Sequence, residues 1–236
     1  FALLGQRRMW LGDSYLGGSA LINSDFSQRV VSGTYSEDWV ASPMAGVWRK
    51  PLAREDAERG HATSIVRYEP GAQFRQHDHP LGEEILVLEG TFSDETGDYP
   101  AGTYFRNPQG FRHAPFSDEG CLLLVKLHQF QLTDTEHVVI DTSAAAFQAG
   151  VGNVKVLPLH RHNKESVRLE QWASGTTMQT HSHSGGEEIY VMSGELRDEL
   201  GQYSAGCWLR NPHLSEHTAY VDVDTVLWVK AGHLPG

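Results

Sequence analysis

The stretch GAQFRQHDHPLGEEILVLEG at residues 71–90 returns as GTTMQTHSHSGGEEIYVMSG at residues 175–194. The match runs without a gap from Gly71–Lys126 onto Gly175–Lys230, at an offset of 104, with 23 of 56 positions identical. Further back the spacing drifts: Arg29-Val30-Val31 resembles His137-Val138-Val139 at offset 108, and Pro51-Leu52 matches Pro158-Leu159 at offset 107. The unit is about 105 residues, large enough to hold its own core, and two copies are too few for a solenoid of small repeats. The chain therefore reads as a tandem duplication with its seam near Thr133: an arm at 1–22, one domain at 23–132 and a second at 133–236.

Within a unit the local signals are β. Thr63–Tyr68, Glu84–Leu88, Cys121–Leu127 and Val226–Val229 are short apolar runs, and Gly-, Pro- and Asp-containing breaks such as Asn107-Pro-Gln-Gly separate them. Regularly spaced short strands predict an all-β fold of two small barrels. The one helix-like stretch is Thr142–Gln148, short and Ala-rich.

The remaining composition excludes several classes. Nineteen Lys and Arg against thirty Asp and Glu give a net charge of −11, the wrong sign for a nucleic-acid footprint. No apolar run approaches the ~20 residues of a membrane-spanning helix. Two cysteines among 236 residues make neither a disulfide scaffold nor a Cys-rich zinc module. Gln6-Arg7-Arg8 and Gly12-Asp13 interrupt the apolar pieces of the first twenty residues, so a secretory signal is not expected and the cytoplasm is. A homodimer is left open.

Thirteen histidines carry the chemistry. His77 and His79 are two apart, so on a strand they share a face. Glu83 follows across a short Pro-Leu-Gly break, and His113 joins once the barrel closes. Three imidazoles and a carboxylate suit a transition metal and not calcium. The second unit repeats the set as His181, His183, Glu187 and His217 at identical spacing. A bare His-x-His pair is weak evidence in so His-rich a chain. His160-Arg161-His162 is the control, with Ser166 at the Glu position and Leu196 at the distant His position, and reads as a surface loop.

At this point the residues resemble a family. Gly71-x5-His77-x-His79-x3-Glu83-x6-Gly90, followed by Gly102-x5-Pro108-x-Gly110-x2-His113, is the two-part signature of cupins. It recurs from Gly175 to Gly194 and from Gly206 to His217, with Leu214 where the second part usually has Gly. More narrowly, the run from Gly82 to Pro108, with Asn23–Val31 and Gly120–Leu127, is similar to ChrR-like cupins. The resemblance covers about 23 to 234. It implies tandem jelly-roll barrels, each with one divalent transition metal such as Zn, Fe, Mn or Ni. The family includes an anti-sigma factor that grips its sigma factor through a separate helical domain with a His-x3-Cys-x2-Cys motif. Cys121 and Cys207 are eighty-six residues apart, so that motif is absent here and a sigma factor is not the expected partner. Other relatives are dioxygenases of dicarbonyl or phenolic substrates, and some bicupins decarboxylate or oxidise small acids. Two readings stay open: a metalloenzyme of a small polar or anionic molecule, or a regulatory cupin in which metal mainly holds the barrel.

Alternation points Glu84 and Glu188 to the face opposite the ligand carboxylates, toward a solvated or salt-bridged role. Cys121 and Cys207 lie in apolar runs and read as inert buried thiols. Arg106-Asn107-Pro108 and its copy fit either a turn or a contact to the ligands. Arg75 shares the face of His77 and His79 and is expected to bind an anionic substrate beside the metal; its counterpart is Gln179.

Overall fold

The computed structural model describes residues 21–33, 38–55 and 60–236, and among these there is no helix. The arm expected at 1–22 falls mostly outside the described residues; Ile22, at its end, bridges Arg54 through two backbone hydrogen bonds of 3.0 and 2.7 Å. No helix among the described residues is long and apolar enough to cross a membrane.

Two antiparallel sheets carry the molecule. In the first, the order is Val138–Asp141, Thr103–Asn107, Glu83–Asp94, Cys121–Leu127, Ala62–Tyr68, Val47–Arg54, Val40–Ala41. In the second it is Val30–Gly33, Cys207–Asn211, Glu187–Ser193, Thr225–Ala231, Glu165–Trp172, Val154–His162, Gln148–Ala149. The orders are copies of each other with one exchange: each unit's first strand joins the other unit's sheet. Val30 pairs with Arg210 and Val138 with Arg106, so the two crossings are equivalent in register. Short ribbons close each barrel on the opposite side, pairing His77–Asp78 with Arg112–His113 and His181–Ser182 with Glu216–His217.

This arrangement explains why the central strands are apolar on both faces. Along Cys121–Leu127, Cys121, Leu123 and Val125 point into the first barrel with Ile85, Val87 and Phe105. Leu124 points the other way, into a cluster with Tyr190, Trp208 and Trp228 of the second unit. A matching cluster of Ile189, Val191, Leu209, Leu227 and Val229 fills the second barrel. Each barrel thus has a core, and a third core joins them.

Charges are buried in that third core. Lys126 Nζ donates to Glu188 at 2.5 Å, and Lys230 Nζ donates to Glu84 at 2.6 Å, a reciprocal pair of bridges between the units. Tyr104 and Arg106 add donors to Glu84, and Trp208 and His233 to Glu188. Glu84 and Glu188 are therefore salt-bridged and buried between the barrels.

Two local expectations are corrected. Thr142–Gln148 is a turn followed by the strand Gln148–Ala149. The Asp141 carboxylate accepts from the backbone and hydroxyl of Ser143, and Thr142 docks onto the Gly102 carbonyl. These bonds hold the segment to the first barrel, and so short a run gains little from helix propagation. His160-Arg161-His162 is the end of strand Val154–His162 and not a surface loop. Buried His160 lies 2.9 Å from Asp134, which also binds Arg106, so the pair belongs to the junction between units.

Candidate metal centres

Each ligand set is assembled from one central strand and one closing ribbon. Glu83 begins the strand Glu83–Asp94, while antiparallel pairing sets His113 directly opposite His77. The left-handed Gly82 (φ 78°) makes the bend between His79 and Glu83, and a Cβ there would strike the Phe130 ring at 2.5 Å. Glu187 and the His181–His217 pairing repeat this in the second unit.

The donor atoms converge. His79 Nε2 lies 3.1 Å from His113 Nε2, and both lie 3.4 Å from Glu83 Oε2. In the second set His183 Nε2 and His217 Nε2 are 3.2 Å apart, and Glu187 Oε1 is 3.3 and 3.2 Å from them. His77 and His181 complete the triads, with ligand atoms of each triad within 4.8 Å of one another. Donors bound at about 2.0–2.2 Å to one ion sit roughly 3.0–3.5 Å apart, so the residues present fit a first-row metal. The six predicted histidines form two triads, and Glu83 and Glu187 each lie within 3.4 Å of two histidines of their triad.

Outer hydrogen bonds fix the ligand orientations. His77 Nδ1–H donates to the Arg75 carbonyl at 2.7 Å and His181 Nδ1–H to that of Gln179 at 2.8 Å, which leaves Nε2 for the site. Asn107 donates to Glu83 at 3.3 Å and Asn211 to Glu187 at 2.9 Å. His113 Nδ1–H donates to Asp94 at 3.2 Å, whereas His217 Nδ1 is 4.0 Å from Asp198. Burial pushes the His79 pKa down, and burial together with His181 takes His183 to about 4, which keeps both imidazoles in the neutral, ligating form. Burial also lowers His217, but at His113 the Asp94 hydrogen bond and Glu83 overcome it and raise the pKa. Asp94 and Asp198 were not singled out in the sequence, though both repeats carry them.

The two sites open onto unequal spaces. Beside the first lies a cavity of about 210 Å³, lined by His77, His79 and Glu83 on one side and by Arg49, Arg54, Ser64, Val66 and Tyr68 on another. Beside the second the space is about 70 Å³, with Arg168, Glu170 and Trp172 in its wall. Arg75 is not where alternation put it. Regular strand begins only at His77, and Arg75 is exposed and absent from the cavity lining. The arginines at the cavity come from strand Val47–Arg54. Cys121 is buried, its thiol pushed up by burial to about 11, and Cys207 is raised for the same reason, so neither is a reactive thiol.

Paired β-barrels, each with a histidine triad and an adjacent glutamate, define a two-domain cupin. Residues 27–131 and 135–235 each match the ChrR Cupin-like domain, and the chain belongs to that family. Its fold is shared with solved structures at low identity. A Nostoc punctiforme protein provisionally named a dioxygenase aligns at 15% identity and TM-score 0.76, over 88% of this chain and 84% of that one. Escherichia coli Ylba aligns at 12% identity and TM-score 0.68, over 94% and 97%. A point mutant of the Bacillus subtilis oxalate decarboxylase OxdC aligns at 17% and 0.61, over 86% and 76%. No curated protein matches the sequence.

Proposed function

We propose that this cupin is a metal-dependent enzyme acting on a small polar molecule, with the first barrel as its reaction chamber and an oxygenase reaction as the leading class. The observation that carries this is the 210 Å³ cavity walled in part by His77, His79 and Glu83 themselves. A metal held there would be a Lewis acid and a site for O₂ chemistry. The chain's own residues do the rest: apolar Val66, Ile85 and Phe92 exclude water, while Arg49, Ser64 and Tyr68 offer donors to orient a polar substrate. The cavity is below the ~300–1,000 Å³ usual for drug-sized ligands, which points to a substrate of few heavy atoms. In the second barrel the same donor set stands against a third of the space, which fits a metal that holds structure.

Loading metal-free protein separately with Fe²⁺, Mn²⁺, Ni²⁺ and Zn²⁺, then following O₂ uptake and product masses across a panel of dicarbonyls, phenols and small acids, tests the proposal. Metal-dependent turnover lost in His113→Ala and kept in His217→Ala is expected. No turnover with any metal, together with ligand binding at the first barrel, would move the protein to the regulatory reading that its family match favours.

A further inference from the structure

The linings of the two cavities differ at three positions of one strand. Ser64, Val66 and Tyr68 of the first unit correspond to Arg168, Glu170 and Trp172 of the second. The backbone frame is the same: Ser64, Val66 and Tyr68 face Val125, Leu123 and Cys121, and Arg168, Glu170 and Trp172 face Val229, Leu227 and Thr225. In the second barrel the three side chains tie to one another along the inner face. Arg168 Nε donates to Glu170 Oε1 at 2.6 Å and Trp172 Nε1 donates to Glu170 Oε2 at 2.8 Å. Both carboxylate oxygens are engaged, and Arg168 and Glu170 occupy volume that the smaller Ser64 and Val66 leave open in the first barrel, while Tyr68 and Trp172 are both large aromatics.

The charge lining differs in the same sense. In the first cavity two guanidiniums, Arg49 and Arg54, stand with the carboxylates of Asp78 and Glu83. In the second, a single guanidinium already ion-paired stands with two carboxylates, Glu170 and Glu187. Arg49 has no cationic counterpart, because the residue opposite Glu170 in the second sheet is Val156 where Arg49 is opposite Val66. The charges of the first lining therefore cancel where those of the second leave an excess of carboxylate, and a divalent ion at the ligands of the first would make that space cationic.

We propose that the ligand is a small organic anion, a carboxylate or an enolate, bound in the first barrel alone through Arg49 and Arg54, and that Arg168, Glu170 and Trp172 are the residues that exclude it from the second. This rests on the first barrel being the reaction chamber, and it concerns binding, so it stands or falls separately from turnover. Guanidiniums match carboxylates through paired N–H donors, and closing a pocket with hydrogen-bonded side chains blocks a ligand without disturbing the metal ligands behind it.

Titration calorimetry of Zn²⁺-loaded chain with malonate, oxalate and acetate, alongside metal analysis, provides the test. One binding equivalent per chain is expected against two metals. Arg49→Gln with Arg54→Gln should weaken binding at least about tenfold with metal content unchanged. Arg168→Ser, Glu170→Val and Trp172→Tyr together should create a second equivalent. The reverse exchange, Val66→Glu with Tyr68→Trp, should abolish the first, and it decides the matter should the triple variant not fold. Two equivalents in wild type, binding that survives the arginine changes, or no binding of any of the three anions would overturn the proposal. Binding without turnover would refute the enzyme reading and leave this one intact.

Discussion

Lys230 is fully buried, with Nζ 2.6 Å from Glu84 and 3.0 Å from Glu165, so its removal tests how the two barrels are held together. Lys230→Met keeps the aliphatic bulk and deletes the charge. Glu84 then retains Tyr104 at 2.9 Å and Arg106 at 3.2 Å, and Glu165 retains Arg106 at 3.1 Å, so a single guanidinium must balance Glu84, Glu165 and Asp134. Breaking a buried pair from one side costs about 3–5 kcal/mol. For a chain of this size that lowers Tm by roughly 6–20 °C. Adding Glu84→Gln removes the stranded charge, so the double variant should recover part of the loss, with a coupling of about 1–3 kcal/mol in a urea-unfolding cycle. The acid limb gives an independent reading. Burial pushes the Glu84 carboxyl up, but Lys230 and Arg106 pull harder and hold it at about 2, against an ordinary value of 4.5. A depressed carboxylate contributes stability above pH 4.5 and loses it as pH falls toward 2, so Lys230→Met should flatten the stability curve in that window. A loss below about 1 kcal/mol, or additivity in the cycle, would refute the claim that this bridge locks the barrels.

Two further outcomes follow from the sites and turns. Asp94→Asn should lower metal affinity at the first site about 10–100-fold in competition with a chromophoric chelator, while Asp198→Asn changes the second site less, because Asp198 is 4.0 Å from its histidine; equal effects would contradict the geometry. Leu214 occupies the left-handed region at φ 60°, as Gly110 does at φ 88° in the first unit, so the turn is kept despite the missing glycine. Leu214→Gly should therefore raise stability by up to about 1 kcal/mol, and a destabilised variant would show that the exposed leucine has a contact role.

How much of this was legible depended on whether the information was local. Ligand spacing is local: His77, His79 and Glu83 lie within one bend, and its duplication at His181, His183 and Glu187 repeats it, so two residue patterns sufficed. The alternation that sent Glu84 away from the metal was also readable, although only the structure shows that its face meets a second barrel. Alternation misplaces Arg75 because the regular strand begins only at His77. The cavity contrast was present in the sequence but outside the gapless match, which starts at Gly71, just past Tyr68. The crossing of Val30–Gly33 and Val138–Asp141 leaves only a weak trace, their offset of 108 against 104. An edge strand's partner is decided by the whole fold, and four residues cannot specify it.

That crossing also makes the two candidate metal centres unequal. Just before Val30–Gly33, Arg29 of the first unit reaches into the second, where Nη2 donates to Asp198 at 2.6 Å and Nε donates to Asn211 at 2.8 Å. Asn211 orients Glu187, so an arginine from one unit organises the outer hydrogen bonds of the other unit's ligands. With Arg29 and Tyr203 on its carboxylate, Asp198 leaves His217 at 4.0 Å. In the first barrel the crossing strand brings His137 to the equivalent place, stacked on Phe111 at 5.2 Å, and Asp94 is left to grip His113. The donor sets remain identical while their supports diverge. The barrel with the open cavity keeps the aspartate–histidine pair that strengthens a metal ligand. The barrel with the filled cavity commits its aspartate to the strand that fastens the two halves together. The two donor sets match, and what differs is the outer contact: His113 has its aspartate at 3.2 Å, whereas the aspartate beside His217 is held by Arg29 and Tyr203.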